Sequence, residues 1–293
     1  MRALTLTVAL VLSGAAQGVE GQRPVARAAM ATTARWMQAR AIGDSFAIQV
    51  AVPARYAMDT TRRYGVLYVL DGDKSFGLAR DLVDWLSWSG ANEVVPLIVV
   101  GIGYGGAEAE WWQKRSRDLT PTKDRSRIWG DWPQAGAAGA FQAFLETELI
   151  PAVEREYRTR SDQRIVAGVS FGGLFATRSI LHERSAFTAA IAVNPAFVWD
   201  STAISARVTA RRGRGGAQPV HLYTAVGDQD DEATIQRPWR EVVARLREIG
   251  APLRVDEEIL RGETHISSWP VGLAHGLKRV AAPPRRPAGG DGQ

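Results

Sequence analysis

A chain of 293 residues with 45% hydrophobic and 23% charged side chains can bury one large α/β core, which excludes a disordered or fibrous body. The formal charge of +5 and a pI near 9.8 invite nucleic acid as a partner, but the arginines are spread along the chain, so the charge reads as a solvated surface. Cysteine is absent, which rules out disulfides, thiolate metal sites, a lipoprotein anchor and a cysteine nucleophile, and suits an oxidising compartment.

At the amino end, Arg2 precedes the apolar run Ala3 to Leu12 and the small residues Ser13-Gly14-Ala15-Ala16-Gln17-Gly18. That is the pattern of a signal peptide, assigned to residues 1–21, and it implies a periplasmic or secreted mature chain. The run falls short of the roughly 20 apolar residues that span a bilayer, and no later segment is long enough, so no membrane span is expected. Residues 22–282 read as one α/β domain. Phe46 to Val52 alternates like a strand and ends at Pro53, and Gly65 to Leu70 is the next. Its unbroken apolarity fits a parallel strand covered on both faces, as do Pro96 to Val100 and Ile165 to Ala167. Later strands are Phe187 to Val193, Val220 to Val226 and Leu253 to Leu260. Helices are expected over Phe76 to Trp88, Ala138 to Tyr157, Gly172 to His182, Ala233 to Ile249 and Ser268 to Leu277, with Pro151 kinking the second. Gly101 to Gln134 reads as a long loop holding Trp111, Trp112, Trp129 and Trp132, either a pocket wall or a satellite hydrophobic cluster. Residues 283–293, rich in Pro, Gly and Arg, read as a disordered tail.

Gly168-Val169-Ser170-Phe171-Gly172 joins the strand ending at Ala167 to a helix, the setting of a nucleophile elbow. A serine on such a turn is held clear of the sheet, and the glycines permit the close approach of strand and helix. Serine needs a base, normally a histidine oriented by a carboxylate. Of four histidines, His182 lies twelve positions along the elbow's own helix, roughly 18 Å away at 1.5 Å per residue. His221 begins a strand, at the end opposite the loops where such sheets place their sites. His265, in the loop after Leu260, is the candidate base, with His275 the fallback. The acid is expected between serine and histidine, in Gly227-Asp228-Gln229-Asp230-Asp231-Glu232. Asp230 is chosen, with Asp228, Asp231 and Glu232 open as alternatives that could equally cap the following helix. For the oxyanion, the backbone N–H of Phe171 supplies one donor, and that of Asp73, in Leu70-Asp71-Gly72-Asp73, is chosen as the second.

These residues, with Arg63 to Gly72, Gly101-Ile102-Gly103-Tyr104, Arg117-Asp118-Leu119-Thr120-Pro121, Glu148-Leu149-Ile150-Pro151 and Gly262-Glu263-Thr264-His265, resemble the esterase D family of α/β-hydrolases over almost the whole mature chain. That family includes enterochelin (catecholate siderophore) esterases and, more distantly, mycolyltransferases. The resemblance implies an α/β-hydrolase fold with a mainly parallel sheet and metal-free, cofactor-free ester hydrolysis through serine and histidine. It makes a small-molecule ester the expected partner. It also makes Lys114, Arg115 and Arg117 attractive catecholate contacts, beside Trp111 and Trp112 as pocket residues.

Other classes compete. Gly101, Gly103 and Gly106 spell a dinucleotide-binding fingerprint after a strand, but the following residues show no clear apolar helical face to receive a pyrophosphate. An exported, non-catalytic binding protein on the same fold, an acyltransferase, and a feruloyl or acetyl-sugar esterase remain open. The histidines stand apart without metal-ligand spacing, so no metal is expected.

Overall fold

The computed structural model describes residues 30–88, 92–123, 129–182, 185–212 and 218–284. The expected signal peptide and residues 285–293 of the expected tail lie outside them. In chain order the elements are β1 (Ala31–Ala39), β2 (Asp44–Val52), β3 (Tyr64–Val69), α1 (Gly72–Ser87), β4 (Leu97–Gly103) and α2 (Glu108–Leu119). There follow α3 (Ala138–Phe144), a π turn (Leu145–Leu149), α4 (Ile150–Glu156), β5 (Thr159–Val169), α5 (Phe171–Ile180) and β6 (Ala189–Val193). The chain continues through α6 (Ser201–Arg212), β7 (Val220–Gly227), a second π turn (Glu232–Gln236), α7 (Arg237–Arg247), β8 (Leu253–Leu260) and α8 (Ser268–Val280).

The strands form one sheet in the order β1-β2-β4-β3-β5-β6-β7-β8. Pairing is antiparallel for β1 with β2 and β2 with β4, and parallel from β4 to β8. β3 shows why continuous apolar runs mark the centre: Val66, Tyr68 and Leu70 enter one core while Leu67 and Val69 enter the other. Phe141, Phe144, Phe175 and Trp239 cover the first face, and Phe76, Val83, Leu273 and Leu277 the second. The result is a mainly parallel sheet with helices on both faces. β3 pairs with both β4 and β5, so the chain reverses its direction of sheet building there. Such sheets bind ligands beyond the carboxyl ends of strands flanking a reversal.

Two expectations are corrected. Residues 101–134 are not one long loop, because β4 runs to Gly103 and α2 follows. The inward face of α2 consists of Trp111, Arg115, Ser116, Asp118 and Leu119, all buried. Helical spacing is present, but charged side chains occupy it, so hydrophobic periodicity does not register it. At Pro151 the helix does not simply kink: Ile150 N–H donates to the Leu145 carbonyl, a π turn that widens the helix just before the proline. β1, an edge strand with most residues exposed, and α6 were not expected from the sequence.

Candidate active site

Ser170 sits between β5 and α5 at φ 60°, ψ −119°, a conformation that costs about 1–3 kcal/mol and persists only where the surroundings enforce it. Here Ser170 N–H donates to the Val193 carbonyl (3.0 Å), while the Ser170 carbonyl accepts from Leu174 N–H (2.9 Å) and Ala196 N–H (3.1 Å). The elbow also needs its first glycine, since a Cβ on Gly168 would stand 2.6 Å from the Gly172 backbone. The turn is thus over-determined by main-chain bonds and by backbone contact.

His265, on the loop between β8 and α8, places Nδ1 2.6 Å from Asp230 Oδ2, and Asp230 is nearly buried while His265 is partly open to solvent. The other carboxylates of the acidic turn are occupied. Asp228 accepts from Gly262 N–H (2.7 Å), Asp231 caps the π turn by accepting from Thr234 N–H (2.8 Å), and Glu232 pairs with Arg240. Of the four candidates, Asp230 is the one the structure brings to the imidazole. The acidic turn is itself zipped to the histidine loop by Gln229 N–H donating to the Glu263 carbonyl (3.0 Å). The fallback His275 instead contacts Glu258, on β8 (2.9 Å).

Ser170, Phe171, His265 and Asp230 line one cavity of about 650 Å³ together with Arg115, Trp112, Trp129, Trp132 and Ile235. It opens at the carboxyl ends of β5, β7 and β8. Its aromatic wall is continuous: Trp112 lies 6.1 Å from Trp132, and Trp129 lies 5.7 Å from Phe171. Trp129 and Trp132 stand in the tryptophan-rich segment of the sequence, but nothing in that composition marks them above Trp111 and Trp112 as site residues. Trp111, an expected pocket residue, does not line the cavity; it is buried edge-on against Tyr104 and Trp112.

The basic residues divide. Lys114 and Arg117 do not reach the cavity: both pair with Asp44 at the start of β2, and Arg117 also holds Asp118 through two bonds. Burial pushes the Asp118 carboxyl up to about 6 despite that guanidinium. Arg115 does reach it, but as a strut rather than a free cation. Its Nε donates to Asp71 Oδ1 (2.8 Å) and its Nη2 to the Val169 carbonyl (3.1 Å). It therefore joins the end of β3 to the residue preceding Ser170, under the rings of Trp111, Trp112 and Phe171.

Phe171 opens α5 and Asp73 lies in the first turn of α1, where backbone N–H groups lack helical acceptors. The two turns adjoin, because a Cβ on Gly172 would lie 3.6 Å from Leu70 Cβ. The Asp73 side chain is not a cavity group: its carboxylate accepts from Tyr104 N–H (2.6 Å) and Gly105 N–H (3.0 Å). That contact also answers the dinucleotide reading. A helix does follow β4, contrary to the expectation, but the N–H groups at its approach already hold a carboxylate, and Phe76 fills the space over Gly101. Among the described residues no three histidine or carboxylate groups converge as a metal would require, and no helix is long and apolar enough to cross a membrane.

Comparison with known proteins gives the family. A family model described as "Putative esterase" matches residues 39–266. The ferri-bacillibactin esterase BesA of Bacillus subtilis is 28% identical over 263 residues, covering 86% of this chain and 90% of that protein. A siderophore enterobactin esterase of Emericella nidulans is 26% identical, covering 79% and 80%. Among solved structures, the BES protein of Bacillus cereus matches with a TM-score of 0.76 at 25% identity, covering 90% of this chain and 99% of that one. An IroE-like serine hydrolase from Shewanella oneidensis matches with a TM-score of 0.74 at 25% identity, covering 86% and 80%. With the α/β-hydrolase fold in place and most of its length matched, this chain belongs to the putative esterase family and is a carboxylic-ester hydrolase.

Proposed function

We propose that the chain is an exported serine esterase acting through Ser170, His265 and Asp230 on carboxylic esters, those of catecholate siderophores included. The observation that carries the reading is the 2.6 Å contact between His265 Nδ1 and Asp230 in the cavity that also exposes the strained Ser170. With Nδ1–H donated to Asp230, the imidazole presents Nε2 as the atom free to accept a proton. Ser170 Oγ attacks the ester carbonyl as that nitrogen takes its proton. The tetrahedral oxyanion is received by the N–H groups of Phe171 and Asp73, each such donor being worth about 3 kcal/mol in comparable sites. His265 then protonates the departing alcohol, and water repeats the sequence on the acyl-enzyme.

The substrate proposal is supported by the siderophore esterases among the relatives and by the tryptophan-lined cavity, which suits a planar aromatic acyl group. The same wall favours esters of aromatic acids, such as feruloyl esters, as the second reading. Export is supported by the charge and apolarity of residues 1–21. The test is a mass-spectrometric screen of ferric and metal-free catecholate siderophores beside feruloyl and acetyl-sugar esters, with Ser170→Ala as control. Turnover of a siderophore ester that disappears in the variant, together with labelling of Ser170 by a fluorophosphonate, is the expected result. Turnover that survives Ser170→Ala would discard the serine mechanism, and turnover confined to feruloyl or sugar esters would move the substrate to that class. Sequencing the amino terminus of the mature protein from a cell fraction checks export.

A further inference from the structure

Asn194 immediately follows β6 and precedes Pro195, a place where a turn residue ordinarily needs no explanation beyond the turn. Its burial and bonding say more. Asn194 is 0% exposed, so it cannot touch a substrate, and its backbone lies at φ 42°, a left-handed conformation that asparagine tolerates better than most residues. Both ends of its side chain are committed to the loops that carry the candidate base and acid. Nδ2 donates to the His265 carbonyl at 3.0 Å, and Oδ1 accepts from the N–H of Gly227 at 2.9 Å, where β7 gives way to the turn bearing Asp230.

Its neighbours grip the nucleophile. Val193 receives the Ser170 N–H, and Ala196 donates to the Ser170 carbonyl. A Cβ on Gly173 would stand 2.9 Å from the Val193 carbonyl and 3.1 Å from Pro195 Cα, so the segment lies directly on the elbow helix. The bonds from Gln229 N–H to Glu263 and from Gly262 N–H to Asp228 fix the acid turn relative to the histidine loop, but not relative to Ser170. The Asn194 N–H extends the β6–β7 pairing by donating to the Ala225 carbonyl (2.8 Å), and its side chain carries that tie on to Gly227, where the acid turn begins, and to the His265 carbonyl.

We propose that Asn194 is a positioning residue of the hydrolytic site, holding His265 and Asp230 in register with Ser170; this rests on the triad reading above. The experiment uses the full chain as wild type, Asn194→Gly and Asn194→Asp, with folding checked by circular dichroism. Glycine keeps the left-handed backbone and removes both side-chain bonds. Aspartate keeps that backbone and the acceptor for Gly227, but sets an oxygen against the His265 carbonyl. Displacing reactive groups by about an ångström costs on the order of 100-fold, so kcat for p-nitrophenyl acetate should fall by about that factor in both variants, with KM within about twofold and the fluorophosphonate labelling rate falling in parallel. A folded Asn194→Gly protein with wild-type kcat overturns the proposal, as does a loss expressed in KM alone. If the glycine variant does not fold, wild-type kcat in Asn194→Asp overturns it, and failure of both to fold assigns Asn194 an architectural role instead. Wild-type protein that resists labelling, or labelling that persists in Ser170→Ala, overturns the triad reading itself and takes this proposal with it.

Discussion

His265 meets Asp230 at 2.6 Å, His221 meets Asp256 at 2.9 Å and His275 meets Glu258 at 2.9 Å, contacts of nearly the same length. The contacts look alike, yet their surroundings differ. Asp256 is shared with Arg254 and Glu258 with the Tyr223 hydroxyl, on the adjoining strands β7 and β8, and neither histidine faces the cavity. Asp230 is 6% exposed, against 23% and 33% for the other two carboxylates, and its histidine shares a cavity with a serine on a strained turn. A histidine–carboxylate contact is ordinary surface electrostatics. What distinguishes one of them is a buried acid at the carboxyl edge of the sheet, with Ser170 lining the same concavity.

The largest effect that can break this comparison comes from exchanging the histidines one at a time. In comparable serine hydrolases loss of the base alone lowers kcat about 10⁶-fold, whereas a surface histidine remote from the site should change it by less than about twofold. His265→Gln is expected to behave in the first way and His275→Gln in the second, read as p-nitrophenyl ester hydrolysis. Comparable losses in the two variants would mean that the cavity does not identify the base.

A second, smaller effect extends the comparison from histidines to arginines. Arg115 and Asp71 are paired at 2.8 Å with side chains only 4% and 5% exposed, while Arg117 shares its charge between Asp44 and Asp118 at the rim of β2. Removing one member of a buried pair typically costs about 3–5 kcal/mol because the other is left without a partner. Arg115→Met should therefore lose about that much in urea unfolding, and Arg115→Met combined with Asp71→Asn should recover part of it. A variant of unchanged stability with only a raised KM would restore Arg115 as a substrate contact.

How much of this was legible depended on what each signal measures. The continuous apolar runs of β3 and β4 were readable because both faces of those strands are covered, and β8 was read with its observed bounds, Leu253–Leu260. The elbow was readable because strand, glycine, serine and helix adjoin in the chain. The sequence favours Asp230 among four carboxylates, and what separates them in the structure is its contact with His265, the cap made by Asp231, the bond from Gly262 to Asp228 and the Glu232–Arg240 pair. α2 was missed because its buried face carries Arg115, Ser116 and Asp118, satisfied by Asp71 at the end of β3, by the Gln113 carbonyl and by the neighbouring Arg117. Trp111 and Trp112 are adjacent residues on one helix, about 100° apart around its axis, so composition could not say which one faces the cavity. Asn194 left no trace, since an asparagine before a proline is an ordinary turn signal.

The smallest effect concerns His221, which like His275 does no chemistry in this scheme, and it separates the pairs by pH rather than by rate. Burial is the largest influence on His221 and holds its ionisation below the ordinary histidine value of 6.5, even though Asp256 pulls the other way. The folded state therefore binds a proton at His221 less readily than the unfolded chain does. Its contribution to stability is complete above about pH 6.5 and is lost as pH falls through the lower folded value. Thermal midpoints measured from pH 8 down to pH 5 should fall more steeply for the wild type than for His221→Gln, in which this group cannot charge. Ester hydrolysis by the variant should stay at the wild-type rate at pH 8, because His221 stands at the amino end of β7, away from the cavity. Identical pH slopes would mean that Asp256 cancels burial at this position, and a shallower slope for the wild type would mean that it outweighs burial.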